Sequence, residues 1–195
     1  MEQKSSCLSA AVLAGGFSTR MGLDKAALPV AGMTMLVQQV WKLRALGFED
    51  IMISGAEQEI AGVRFVSDVY PHRGPLSGIH ACLAAARREA VLFLGVDTPL
   101  VPAEALQKLI SVHEGNVTLL RSGEQAEPLI GIYDRALSPL CEAILQSERT
   151  GVWQLLNRTT VKTVSFDGDP LLLLNVNTPE DYAQLLQIQE RQFST

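Results

Sequence analysis

Residues 12–25 read Val-Leu-Ala-Gly-Gly-Phe-Ser-Thr-Arg-Met-Gly-Leu-Asp-Lys. Gly15, Gly16 and Gly22 surround Arg20, and Lys25 closes the stretch. Glycine lets a backbone approach a ligand and take positive φ angles without steric cost. Successive N–H groups in such a loop form an anion-sized concavity, and the two cations add charge at its far end. The residue types suit a polyphosphate cradle; an ordinary strand-to-helix loop with a solvated Arg and Lys is the alternative. The stretch is neither a Walker loop, which needs Gly-Lys-Ser/Thr, nor the G-x-G-x-x-G fingerprint.

Asp97 is the second residue suited to chemistry. It follows the apolar run 91–96 and precedes Thr98 and Pro99. Ligands of open parallel sheets bind outside the carboxyl ends of the strands. A carboxylate there, beside bound phosphates, suits Mg²⁺, which takes one or two protein carboxylates plus phosphate oxygens. The competing role for Asp97 is a cap on its own turn. Asn175 and Asn177 alternate along an extended segment, so both amides point to one face. His72, His80 and His113 have no metal-like spacing, and no Ser-His-Asp or Cys-His arrangement emerges.

The elements that must position these residues follow from periodicity. The run 8–13 reads as a buried strand emptying into the glycine loop, and 26–32 as a short extended piece. Leu36, Val37, Val40, Leu43 and Leu46 recur at helical spacing, with Thr34 as N-cap and Gly47 just past the end. Strands are expected at 50–54 and 63–66, then a loop over 68–78 and an Ala-rich helix over 76–87. The run 91–96 is the most apolar in the chain, as a central parallel strand buried on both faces should be. Pro102 is expected in the first turn of a helix reaching His113. Strands at 116–120 and 127–133, helices at 135–146 and 151–157 and a strand at 161–166 complete the middle. Thr178 caps a last helix, with Pro179 at its first position and acids in the first turn. Trp41 and Trp153 read as core or partly buried aromatics. The pattern predicts one three-layer α/β/α Rossmann-like domain with a mostly parallel central sheet, residues 1–195.

Composition narrows the function classes. Hydrophobic residues make up 47% of the 195 and charged residues 19%, a globular balance. The net charge of −5 argues against a nucleic-acid backbone as partner. An acidic protein that binds a polyphosphate needs local cations or Mg²⁺, which gives the Arg20/Lys25 placement its weight. Cys7, Cys82 and Cys141 lie far apart with no C-x-x-C pair, so they read as structural thiols in a reducing compartment. The N-terminal residues carry no apolar run behind a basic start. No run reaches the ~18–20 apolar residues of a membrane span. The expectation is a soluble, cytoplasmic protein with no membrane partner.

The stretch Leu13, Ala14, Gly15, Gly16, Ser18, Arg20, Met21, Gly22, Asp24 and Lys25 resembles the L-A-G-G-x-S-x-R-M-G-x-D-K signature of molybdenum cofactor guanylyltransferases, in the MobA-type nucleotidyltransferase family. The resemblance continues in order through Asp68, the Gly-Pro-Leu-Ser-Gly of residues 74–78, Asp97-Thr98-Pro99, Glu127-Pro128-Leu129 and the Asn-Val-Asn-Thr-Pro of residues 175–179. It implies that the loop wraps a nucleoside triphosphate through Leu13, Ala14, Gly15, Gly16, Arg20 and Lys25. It places Asp68 and Gly78 beside the nucleotide and Asp97 on Mg²⁺, with Arg20, Lys25 and Asp97 as the catalytic set. Family members often carry asparagine where this chain has Ser54, so Ser54 is the one departure among the nucleotide contacts. Asn175 and Asn177 would face the acceptor pterin or its phosphate, and Glu127 would lie near it. The nucleotide half would span about 8–110 and the acceptor half about 111–195.

The implied reaction is transfer of GMP from GTP to the phosphate of molybdopterin or molybdenum cofactor, releasing pyrophosphate. Implied partners are GTP, molybdopterin and, transiently, other cofactor-biosynthesis or apo-molybdoenzyme proteins. Three alternatives stay open: a cytidylyltransferase for the same cofactor, another small nucleotidyltransferase such as a sugar-phosphate enzyme, and a GTP-binding module without turnover. Leu-Ala-Gly-Gly and Asp-Thr-Pro stand on the guanine side, since cytidylyltransferases look like Leu-Ala-Ala-Gly and Asp-Gln-Pro.

Overall fold

The computed structural model describes residue 5 and residues 7–15, 25–56 and 58–193. Nine strands are described: Ser9–Leu13 (β1), Pro29–Val30 (β2), Met33–Thr34 (β3), Ile51–Ser54 (β4), Val63–Val66 (β5), Ala90–Gly95 (β6), Val117–Ser122 (β7), Gln125–Asp134 (β8) and Val161–Ser165 (β9). The α-helices are Met35–Ala45 (α1), Pro75–Ala85 (α2), Ala103–Val112 (α3), Ser138–Leu145 (α4), Val152–Leu156 (α5) and Pro179–Phe193 (α6). Seven strands form one sheet in the order β5-β4-β1-β6-β8-β7-β9, while β2 and β3 pair separately. β1 pairs in parallel with β4 and β6, β4 with β5, and β7 with β9. Only β8 runs antiparallel to its neighbours β6 and β7. The expected mostly parallel sheet is therefore present.

Period-2 alternation divides the core into two layers. Ala10 and Val12 of β1, with Leu92 and Leu94 of β6, face one apolar cluster. That cluster includes Leu36, Val40 and Leu43 of α1, Leu106 and Leu109 of α3 and Leu185 of α6. Ala11, Leu13, Val91 and Phe93 face the other, against Leu76 and Ile79 of α2, Ile144 of α4 and Leu155 of α5. Every residue of β6 is buried, as its place at the centre of the sheet requires. Cys82 and Cys141 lie in this second layer, and burial pushes both thiols up to about 12, so they pack as small apolar groups.

Several sequence expectations need correction. Trp41 is 58% exposed and Trp153 is 55% exposed, so neither is a core residue. Trp41 falls on the outward side of α1, where the Arg44 guanidinium stacks over its ring at 6.0 Å. The extended piece ending at Gly32 turns back as the β2–β3 hairpin, through Ala31 at φ 49° and Gly32 at φ 80°. Two successive left-handed residues match the twist of a two-residue hairpin. Pro102 caps α3 from outside at φ −68°, ψ 145° instead of entering its first turn. The helix expected over 135–146 divides into a 3₁₀ turn, Arg135–Leu137, and α4, because Pro139 opens a new first turn.

The caps that place the site behave as expected. The Thr34 hydroxyl accepts from the Val37 N–H at 3.2 Å and starts α1. At α6, the Thr178 hydroxyl accepts from the Asp181 N–H at 3.2 Å. Asp181 in return accepts from the N–H groups of Thr178 at 2.8 Å and Asn177 at 2.9 Å. This reciprocal cap fixes the segment that presents Asn177.

Candidate active site

The carboxyl ends of β1, β4 and β6 lie side by side, and the candidate residues project from them. β1 runs out at Leu13, beyond which Ala14 N–H donates to Ser54 C=O at 2.8 Å. A Cβ on Gly55, which has φ +89°, would collide with the Gly15 backbone, so glycine at both positions lets the two strand ends touch. A cavity of about 680 Å³ opens beside them, with Leu13, Gly15, Ser54, Asp68, Gly74 and Gly78 in its wall. Ser54 is 2% exposed and its hydroxyl donates to Asp68 Oδ1 at 2.7 Å. The departure at Ser54 thus aims Asp68 at the cavity edge. A Cβ on Gly78 would stand 2.7 Å from Ser54 Oγ and 3.0 Å from Leu13 Cδ2, so the first turns of α2 lie against the strand ends only because Gly78 has no side chain.

Asp97 follows β6. Val96 N–H donates to Leu13 C=O at 3.0 Å, tying this loop to the end of β1. Val176 N–H donates to Asp97 C=O at 2.8 Å, which brings the asparagine segment alongside. Burial raises the Asp97 carboxyl above the usual range, while the charge of Lys25 and its own backbone N–H act in the opposite direction. Lys25 Nζ donates to Asn177 Oδ1 at 2.7 Å. Asn175 hydrogen-bonds Glu127, whose carboxyl is raised first by burial and then by the negative charge of Asp97. Val176 between the two asparagines is fully buried, so the predicted alternation holds.

Lys25, Asp97, Glu127, Asn175 and Asn177 therefore share one corner, and Ser54, Asp68 and Gly78 share the adjoining cavity. Gly16, Ser18, Arg20, Met21, Gly22 and Asp24 lie outside the described residues. Among the described residues, two desolvated carboxylates whose ionised forms repel, with Lys25 acting against the rise of Asp97, are a donor set that fits a hard dication. Among the described residues no group of three or more His, Cys, Asp or Glu could enclose a metal by itself.

Sequence reasoning missed Gly55, which carries no motif, and the facing of Glu127 toward Asp97. It also missed Gln39 and Lys42 of α1. Gln39 is fully buried within the stripe of Leu36, Val40 and Leu43, and a glutamine on an apolar face is a legible signal. His113 bridges Thr118 Oγ1 at 2.9 Å and Asp134 Oδ1 at 3.1 Å, away from this corner.

Residues 10–164 match the family described as the MobA-like NTP transferase domain. The chain belongs to that family. It is 35% identical over 189 residues to a probable molybdenum cofactor guanylyltransferase of Carboxydothermus hydrogenoformans, an alignment covering 93% of this chain and 96% of the relative. It is 34% identical over 183 residues to the molybdenum cofactor guanylyltransferase of Xanthomonas euvesicatoria, covering 90% and 92%. Its fold is similar to the crystal structure of molybdopterin-guanine dinucleotide biosynthesis protein A from Archaeoglobus fulgidus. There the TM-score is 0.79 at 20% identity, with 94% of this chain and 100% of the other covered. The chain is thus a nucleotidyltransferase by family and shares the fold of that neighbour. No described helix is long and apolar enough to cross a membrane.

Proposed function

We propose that this chain transfers GMP from GTP to the terminal phosphate of molybdopterin or its molybdenum form, yielding the guanine dinucleotide cofactor and pyrophosphate. The observation that carries the reading is the convergence of Lys25, Asp97, Asn175 and Asn177 on one corner beside the Ser54–Asp68 cavity. Relatives named for that activity align over nearly the whole chain.

The chemistry is substitution at the α-phosphorus of GTP by an oxygen of the acceptor phosphate. That oxygen is already anionic near neutral pH, so no general base is needed. The protein supplies orientation and charge. Lys25, together with Arg20 of the glycine loop, would hold the phosphates that leave. The Gly15 and Gly16 amides would cradle them, and Leu13 and Ala14 would shape the loop's entry. Asp68, held by Ser54, and the open space left by Gly78 would receive the nucleoside. Asn175 and Asn177 offer uncharged donors and acceptors to the pterin side, where further fixed charge would repel or over-bind the phosphate. Mg²⁺ held by Asp97, with Glu127 near it, would neutralise charge building on the phosphates. The protein would act in the cytoplasm and hand its product to other cofactor-biosynthesis or apo-molybdoenzyme proteins.

The test is direct. Purified chain, Mg²⁺, molybdopterin and either GTP or CTP are incubated, and the dinucleotide and pyrophosphate are quantified by chromatography. Formation of the guanine product, dependent on Mg²⁺ and lost in Asp97→Ala, supports the reading. A preference for CTP would move the activity to the cytosine form, and full turnover by Asp97→Ala would defeat the assignment of the metal.

A further inference from the structure

The Asp97 loop is cross-linked to α1 by side chains outside the family motifs. Gln39 Nε2 donates to Gly95 C=O at 2.9 Å and to Thr98 C=O at 2.9 Å, one bond on either side of Asp97. Lys42, on the same face of α1 and three residues later, donates from Nζ to Pro99 C=O at 2.9 Å. The carbonyls set the amide's orientation, since only the NH₂ group can face two acceptors. As a result Gln39 Oε1 is buried and finds no partner among the described residues. Leaving a buried acceptor unsatisfied is costly. The carbonyls do not depend on Gln39 for satisfaction. Gly95 C=O also accepts from the Thr98 hydroxyl at 3.1 Å, and Thr98 C=O from Val101 N–H at 3.4 Å. For stability alone, an apolar side chain of similar volume would serve at position 39. What the amide adds is a fixed distance between the two carbonyls that bracket Asp97.

We infer that Gln39 is a positioning residue for the transfer reaction, holding the Asp97 carboxylate where a dication and the nucleotide phosphates meet, with Lys42 extending the same clamp to Pro99. This rests on the transferase reading above. Burial lowers the Lys42 ammonium to about 8, and the Pro99 carbonyl is its acceptor.

Gln39→Met keeps length and volume, removes both bonds and removes the orphaned oxygen. It should melt within about 4 °C of the native chain. Its kcat for GTP-dependent pyrophosphate release should fall roughly 10- to 100-fold, the range expected for a small displacement of a reacting group. The KM for metal-bound GTP should rise by no more than about tenfold, the factor by which the metal's hold weakens, because the nucleoside cavity is untouched. Independently of turnover, Mn²⁺ binding in the presence of a non-hydrolysable GTP analogue, read by electron paramagnetic resonance, should weaken about tenfold. Lys42→Met should shift kcat and Mn²⁺ affinity the same way by a smaller factor, and it serves alone if Gln39→Met does not fold. A folded variant with native kcat and native Mn²⁺ affinity overturns the clamp while the transferase reading stands. A native chain that neither binds Mn²⁺ with the analogue nor releases pyrophosphate overturns both.

Discussion

Lys25 Nζ donates to Asn177 Oδ1 at 2.7 Å across 152 residues of chain. The bond joins the end of the glycine loop to the segment that precedes α6. The same lysine's charge opposes the burial-driven rise of the Asp97 carboxyl. One cation thus links the end of the glycine loop, the Asp97 loop and the segment before α6.

Removing that cation should separate catalysis from stability. Lys25→Met loses an exposed hydrogen bond, worth at most about 1 kcal/mol to the fold. In the transition state it loses a charge on the phosphates, a loss of roughly 10²-fold or more in kcat, or about 3 kcal/mol. Asn177→Ala should cost less, because it frees the lysine without removing its charge. Steady-state pyrophosphate release and a melting curve on each variant check this. Equal losses in the two variants would mean that Lys25 acts only through Asn177.

On the proposed reading, Asp97 and Glu127 should make dication binding pH-dependent. Burial raises both carboxyls, so each takes up its proton at a higher pH than an ordinary carboxylate at about 4. For the metal-free chain the sign follows. As pH rises from the unfolded carboxylate values through the raised folded ones, ionisation disfavours the fold and stability declines. A dication reverses that loss, so the Mn²⁺-induced gain in melting temperature should be large near pH 7 and shrink as the pH falls, starting above about pH 4. Melting curves with and without Mn²⁺ from pH 4 to 7 read it. A gain that stays constant across that range would remove both carboxylates from the metal's surroundings.

The cavity should respond to the Ser54–Asp68 bond and to the space at Gly78. Ser54→Ala leaves Asp68 without the donor that fixes it, and GTP affinity should fall by about tenfold, near 1.4 kcal/mol. Gly78→Ala presses a methyl against Ser54 Oγ and Leu13, at an overpacking cost of about 1–3 kcal/mol in stability. Calorimetric GTP titration of both variants distinguishes the two effects. Unchanged affinity in Ser54→Ala would release Asp68 from any nucleotide contact.

The parts of this site that were legible in the sequence are those in which local chemistry and global position coincide. Asp97 follows the most apolar run in the sequence, so its place at the carboxyl end of a central strand could be read from hydropathy. Asn175 and Asn177 alternate around Val176, so their common face followed from strand geometry. Trp41 and Trp153 failed for the opposite reason: apolarity says nothing about which side of a helix faces the sheet, and both face solvent. Glu127 reaches Asn175 because β8 is inserted antiparallel between β6 and β7, a pairing that no single-strand pattern encodes. Gln39 was visible as a polar interruption in an apolar stripe, but its two acceptors, 56 and 59 residues away, were not.

Asp50 gives a last prediction, remote from the chemistry and specific to the fold. It is 5% exposed just before β4. It accepts from Ser9 Oγ at 2.6 Å, from Arg64 Nη2 at 2.7 Å and from Arg87 N–H at 3.1 Å. Burial acts to raise its carboxyl, but the Ser9, Arg64 and Arg87 hydrogen bonds and the Arg64 charge together outweigh it, and the group is held below the ordinary range. A carboxyl depressed in the folded state contributes stability that is fully present above the unfolded value of about 3.9 and disappears as pH falls through the folded value. Asp50→Ala should therefore destabilise by about 3 kcal/mol at pH 7, since it leaves Ser9 and the half-buried Arg64 without their partner. Denaturant melts of the native and variant chains should converge as the pH falls below about 4. If the gap between them is as wide in acid as at neutrality, the stabilisation comes from packing at that turn and not from the charge of Asp50.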